Sequence, residues 1–170
     1  MNFSDEAVEI PEIILRSVLG DRDVEQAKEI IAEYVNSLGL DLSFQNIEEE
    51  LTDLKAHYVL PDQGLILLAF VDSQLAGCAA LRPLDSSDYI HACELKRLYV
   101  RPVFRGLGLG LGLTEALIEY AKTAGYATLL LDTFDEQETA RELYQSLHFE
   151  EIPPYYYNPL PGAHYLKVDL

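Results

Sequence analysis

Four glycines at every second position, Gly106, Gly108, Gly110 and Gly112, come directly after Arg105. They lie between a β-rich run ending at Val100, halted by Pro102, and a stretch with helical spacing. Glycine lets a backbone approach a ligand with no Cβ in the way. A helix start behind it aims unpaired N–H groups and the positive end of the dipole at the same point. This order of residues makes an anion site, most naturally for a phosphate or pyrophosphate. Arg105, Gly106, Leu107, Gly108, Leu109, Gly110 and Leu111 are therefore the candidate cradle. Spacing excludes two other phosphate loops. A nucleotide P-loop needs Gly-Lys-Ser/Thr, and this loop has no lysine. A dinucleotide fingerprint needs a third glycine where Leu111 or Leu113 stands.

Charge bears on the same segment. The chain carries 29 acidic and 12 basic residues, a net charge of −17. Such a field repels nucleic acid and anionic membranes, so neither is an expected partner. Lys96, Arg97, Arg101 and Arg105 place four of the basic residues within ten positions, which predicts a locally basic site. Residues 1–62 hold fifteen acids and four bases, and an acidic wall there favours a cationic acceptor.

The segment L-Y-V-R-P-x-x-R-G-x-G-x-G, with Arg105, Gly108 and Gly110 as R-x-x-G-x-G, resembles the acetyl-coenzyme A motif of the GNAT superfamily of N-acetyltransferases. Ala140-x-x-Leu143-Tyr144-x-x-x-His148-Phe149 is similar to the superfamily's A-x-x-L-Y-x-x-x-G-F signature, with histidine where glycine is usual. The likeness covers roughly residues 75 to 152. It implies a mixed, mostly antiparallel sheet of about six to seven strands, helices on both faces and one parallel pair at the cofactor site. It also implies acetyl transfer to a primary amine of a small molecule or peptide, the alternative being a coenzyme A sensor without turnover. By the same resemblance, Leu98, Tyr99 and Val100 line the pantetheine arm, Gln137 contacts the cofactor, Tyr144 is the general acid for the leaving thiolate, and Glu94 is the base. Glu94 and Thr133 border the acceptor. The tail Ile152-Pro153-Pro154-Tyr155-Tyr156-Tyr157-Asn158-Pro159 resembles an I-P-P-Y-Y-x-N-P tail of one bacterial branch, and Tyr155, Tyr156 and Tyr157 could wall an acceptor pocket. A carboxylate is a poor base near neutrality unless burial raises its pKa. His91 is the alternative base, being of the type that titrates near neutral pH.

These groups need a scaffold. At 170 residues, 49% hydrophobic and 24% charged, the chain reads as one domain over 1–170 with a substantial core. No apolar run reaches the ~20 residues of a membrane span, and the acidic N-terminus lacks a signal-peptide layout. Cys78 and Cys93 read as buried thiols in a reducing cytoplasm, with a pairing across a hairpin as the alternative. His57, His148 and His164 are scattered and suggest no metal site. A homodimer is compatible with all of this.

In order, the expected elements begin with a strand over Ile10–Val18. A helix follows, capped by an Asp23/Gln26 box, with Ala27, Ile30, Ile31, Tyr34 and Leu38 inward and Gly39 closing it. A second helix starts near Asn46, with Glu48–Glu50 in its first turn, where the dipole favours acids. Pro61–Gly64 reads as a turn. Strands follow over Leu65–Val71, Leu75–Leu84 and Tyr89–Val100. After the glycines come a helix to Gly125 and a strand over Ala127–Phe134, a crossover that makes this strand parallel to the one before the loop. An Asp135/Glu138 box opens a helix to about Leu147. Short strands near Phe149 and over His164–Val168 end the chain.

Overall fold

A computed structural model describes residues 7–59 and 63–170. One seven-stranded sheet takes in β1 (Ile13–Ser17), β2 (Leu65–Val71), β3 (Gln74–Pro83), β4 (Ala92–Val100), β5 (Thr128–Phe134), β6 (Glu150–Ile152) and β7 (Ala163–Asp169). Its order is β1-β2-β3-β4-β5-β7-β6. Every neighbouring pair is antiparallel except β4 and β5. Among the described residues four α-helices accompany it: α1 (Asp21–Leu38), α2 (Ile47–Thr52), α3 (Leu109–Thr123) and α4 (Glu138–Ser146). A π-turn spans Lys55–Val59.

The central strands are apolar on both sides because both faces are covered. Ile66, Leu68 and Phe70 of β2 join Ala27, Ile30 and Ile31 of α1 in one core. Leu67, Ala69 and Val71 face the other way, with Leu113, Leu117 and Ala121 of α3 and Tyr144 of α4. Asp72 and Ser73 both take positive φ (46° and 66°) in the tight β2–β3 turn, the conformation a two-residue hairpin favours.

Several local expectations need correcting. Asp23 is not the cap of α1. Gly20 is, and the Asp23 carboxylate accepts the Leu19 and Gly20 N–H groups at 3.2 Å from within the first turn. At α4 the Asp135/Glu138 box does not form: the flanking residue is Gln137, and Asp135 bonds His164. Cys78 and Cys93 do not oppose each other, since Cys78 pairs in register with Tyr99 and Cys93 with Pro83. Both are free and buried, and burial pushes each thiol up to about 12. The turn expected at Pro61–Gly64 lies partly outside the described residues.

Candidate active site

The site begins where the parallel pair comes apart. β4 and β5 pair only at Ala92/Thr128, Cys93/Leu129 and Glu94/Leu130. Beyond that point β4 continues along β3 and β5 along β7. The facing edges are left with backbone donors and acceptors, which an extended ligand can satisfy as an added strand would. A bulge in β4 accompanies the separation. The register passes from Cys78/Tyr99 to Ala80/Lys96, and Arg97 adopts φ 59°. A bulge adds one residue and redirects those around it. Before it, Cys93 and Leu95 face the α3 core; after it, Leu98 and Val100 do. Lys96 and Arg97 consequently both point to the opposite face. A left-handed arginine costs about 1–2 kcal/mol, and its contacts hold it there. Its Nε and Nη2 donate to Glu50 at 2.9 and 3.2 Å, and Nη1 to Gln45 at 2.9 Å.

Two cavities flank this edge. A narrow cleft between the separated strands is lined by Leu95, Leu98, Asp132, Thr133, Gln137 and Tyr144. Leu98, Gln137 and Tyr144, expected at the cofactor, line this cleft together; Thr133, expected at the acceptor, lines it too and does not line the second cavity. Gln137 is already engaged. Its amide oxygen accepts from Thr133 Oγ1 and the Phe134 N–H, and its Nε2 donates to the Tyr34 hydroxyl, all at 3.1 Å. Tyr144 is buried, and burial lifts its phenol well above the usual range, with Tyr34 and Asp132 adding to the shift. It holds its proton at neutral pH. The Tyr99 ring packs on Tyr34 with centroids 5.5 Å apart, so only its backbone belongs to the edge.

At the mouth of the cleft, the first i→i−4 bond of α3 runs from Gly112 N to Gly108 O at 3.0 Å. That leaves the N–H groups of Leu109, Gly110 and Leu111 without intrahelical partners. Gly106 and Gly108 take φ 85° and 78°, and a Cβ on either would meet nothing within 4 Å. The loop is an open, donor-rich turn of the kind a diphosphate fits. Its basic surround is smaller than expected. Arg101 is held by Glu29 and Glu33, Arg97 by Glu50, and Lys96 lies 3.7 Å from Asp132. Of the four cations, Arg105 alone forms no ion pair among the described residues; its Nε donates to Val100 O at 3.2 Å.

The second cavity, of about 270 Å³, opens on the α2 side of β4. Glu94, Arg82, Tyr155, Tyr156, His57 and Lys96 line it. Tyr157 stands apart, 83% exposed, and is not among the lining residues. His91 is exposed at the start of β4 and lines neither cavity. Glu94 is 2% exposed. Arg82 Nε and Nη2 donate to its Oε1 at 3.0 and 2.9 Å, and the Tyr155 hydroxyl donates to Oε2 at 2.7 Å. Burial alone would raise this carboxyl, but the Lys96 and Arg82 charges and these hydrogen bonds outweigh it and hold it below its ordinary value. The condition for a neutral-pH base is therefore not met, and Glu94 is an anchored anion. The walls carry Glu49, Glu50 and Glu94 against Arg82, Lys96 and Arg97, so the acidic surplus of the N-terminal third does not carry into the pocket.

Sequence reasoning missed Glu50 and His57. Glu50 sits in a run of three glutamates that reads as a solvated helix start. It is buried instead, accepting from Tyr58 at 2.6 Å as well as from Arg97. His57 lines the acceptor-side cavity from the π-turn, a local form that recurs at functional sites.

This splayed parallel pair beside a glycine-rich helix start is an acyltransferase architecture, and comparison with known proteins agrees. The family model described as "Acetyltransferase (GNAT) family" matches residues 30–149. The chain belongs to that family, and it is an acyltransferase. It is 36% identical to an uncharacterized N-acetyltransferase of Schizosaccharomyces pombe, over 99% of this chain and 96% of the relative. A second, from Dictyostelium discoideum, is 30% identical over 86% of this chain and 94% of the relative. Among solved structures, a GNAT-family acetyltransferase of Staphylococcus aureus superposes with a TM-score of 0.76 at 20% identity, covering 93% of this chain and 99% of that one. Such a likeness shows the fold. These two relatives are eukaryotic, so a place in the bacterial branch with the I-P-P-Y-Y-x-N-P tail gains no support from them.

Proposed function

We propose that this protein transfers an acetyl group from acetyl-coenzyme A to a primary amine of a small molecule or peptide, both substrates being bound together. The observation that carries the reading is the separation of β4 from β5 beyond Glu94 and Leu130, with free helix N–H groups at one end and a second cavity across Lys96. Acetyl-coenzyme A supplies the activated acetyl thioester. The protein supplies position, which accounts for much of the rate in such reactions. Backbone donors from Gly106 to Leu111 would hold the diphosphate and the free edge at Leu98–Val100 would take the arm; the amine would give up its proton to solvent in the acceptor-side cavity as it attacks the thioester, and Tyr144 would give one to the departing thiolate. Tyr155, Tyr156 and Glu94 would shape the acceptor pocket. A cytoplasmic setting belongs to the same proposal.

Calorimetric titration with acetyl-coenzyme A, followed by thiol release in the presence of an amine panel, tests the proposal. Saturable binding and acceptor-dependent thiol release are expected. Binding without release for any amine would favour a sensor, and no binding would remove the reading. Tyr144→Phe is expected to lower kcat by about 10²-fold or more, the scale of general-acid catalysis, with cofactor affinity and Tm unchanged.

A further inference from the structure

We infer that the acceptor carries a carboxylate near its amine, as an amino acid does, and that the Lys96 ammonium holds that carboxylate. This rests on the acetyl-transfer reading and narrows its acceptor class.

Lys96 is 6% exposed and has three N–H donors. Among the described residues none of them is used in a hydrogen bond. Its ion-pair partner, Asp132 Oδ1, stands 3.7 Å away, and Asp132 Oδ2 takes the Tyr156 hydroxyl at 2.7 Å. The neighbouring cations differ: Arg82 and Arg97 each place two nitrogens within 3.2 Å of one carboxylate. An ammonium whose donors the protein leaves unspent can give them to an acceptor oxygen of a ligand. No fully enclosed side-chain nitrogen or oxygen among the described residues lacks a hydrogen-bond partner. Lys96 Nζ is therefore open to the space it borders.

That space is particular. Lys96 lines both the interstrand cleft and the acceptor-side cavity, sharing this position, among the described residues, only with Gln45 and Arg97. Gln45 and Arg97 bond each other, whereas the Lys96 ammonium donates no hydrogen bond among the described residues. The lining carries three carboxylates and three cations, and Asp132 stands behind Lys96 as a fourth carboxylate. A bare amine would enter as a cation beside an ammonium, the costly arrangement for like charges. A zwitterion leaves the balance unchanged and gives Lys96 an acceptor oxygen. With its carboxylate on Lys96, the amine of an amino acid lies within a few bonds of the wall facing the cleft. The positioning arises from the bulge at Arg97, which turns Lys96 and Arg97 to one face.

The test compares the twenty common L-amino acids with their C-terminal amides and with phenethylamine, putrescine and spermidine. Thiol release gives kcat and KM, and calorimetry measures binding of the same compounds to the protein with and without coenzyme A. The free acids are expected to exceed their amides at least tenfold in kcat/KM or in affinity. Lys96→Met should bring that ratio close to one, through KM, with acetyl-coenzyme A affinity unchanged, and Lys96→Arg should retain part of it. The inference is overturned if amides or plain amines do as well as acids, if no free amino acid binds or reacts, or if Lys96→Met keeps the ratio. A Lys96→Met loss of kcat equal on acids and amides also overturns it, assigning Lys96 to the transfer step. Failure of the acetyl-transfer reading looks different: the wild-type protein would not bind acetyl-coenzyme A, whatever the amino acids do.

Discussion

Glu94 and Tyr144 stand on either side of the β4 edge, and their surroundings give them opposite character. Tyr144 is buried against Phe149, ring centroids 5.4 Å apart, and keeps its proton. Glu94 is held ionised by Lys96, Arg82 and Tyr155 against the cost of burial. Breaking a buried pair by removing one partner costs about 3–5 kcal/mol. The Arg82 side chain is 32% exposed, so solvent screening reduces the penalty. Glu94→Gln is expected to cost about 2 kcal/mol and lower Tm by roughly 4–8 °C, which thermal unfolding would measure. The pH dependence has a definite sign. A carboxyl whose folded pKa is depressed stabilises fully above its unfolded value, here 4.5, and loses that contribution as pH falls through the folded value. The Gln variant should lack that acid-side loss. The glycine spacing and the signature around Tyr144 were legible because motif residues follow one another closely in the chain. The Glu50–Arg97 and Lys96–Asp132 pairs were not, because each joins residues that only the bulge and the sheet bring together.

At the level of elements, the helix start of α3 gives a test in which stability and binding move in opposite directions. Leu111 lies in its first turn and is 39% exposed. An acid there interacts favourably with the helix dipole, by about 0.3–1 kcal/mol, yet repels a diphosphate. Leu111→Glu should therefore keep or raise Tm while weakening acetyl-coenzyme A binding about tenfold or more, a loss of roughly 1.4 kcal/mol. Calorimetry with thermal unfolding reads both, and unchanged affinity would remove the cradle. A second element-level device joins β6, β7 and the turn after β5. His164 on β7 bridges Glu151 of β6, at 2.9 Å, and Asp135. The hydrogen bonds to Asp135 and Glu151 raise its pKa above 6.5. A raised histidine stabilises fully below its unfolded value and ceases to as pH rises through the folded one. Stability measured upward from pH 6 should fall in the wild type by a component absent from His164→Gln. The succession of strands and helices along the chain and the parallel crossover were readable from hydrophobic runs and turns. The caps were not, since the D-x-x-Q pattern at Asp23 and the D-x-x-E pattern at Asp135 fit a helix start one turn out of place or a cross-strand contact equally well.

For the whole molecule, the net charge of −17 meets a cofactor that is itself an anion. Clustering of Lys96, Arg97, Arg101 and Arg105 in the sequence implied a local attraction strong enough to reverse that repulsion. In three dimensions Glu29, Glu33, Glu50 and Asp132 offset the first three, leaving Arg105 and the helix dipole. Partial charges at a helix end act within about a turn, whereas the protein's overall field reaches a Debye length, about 30 Å at 0.01 M salt and 8 Å at 0.15 M. Approach is thus governed by repulsion and the final docking by the cradle. The association rate of acetyl-coenzyme A, followed by stopped flow, should rise several-fold between those two salt concentrations, the reverse of an electrostatically steered site. Dissociation should quicken over the same range as the short-range contacts are screened. Arg105→Ala should lower the association rate at low salt and leave Tm unchanged, because the side chain is exposed and holds only the Val100 carbonyl. An association rate that falls with salt in the wild type would mean that the cradle's field outweighs seventeen net negative charges, and the offsetting of the basic cluster would then be wrong.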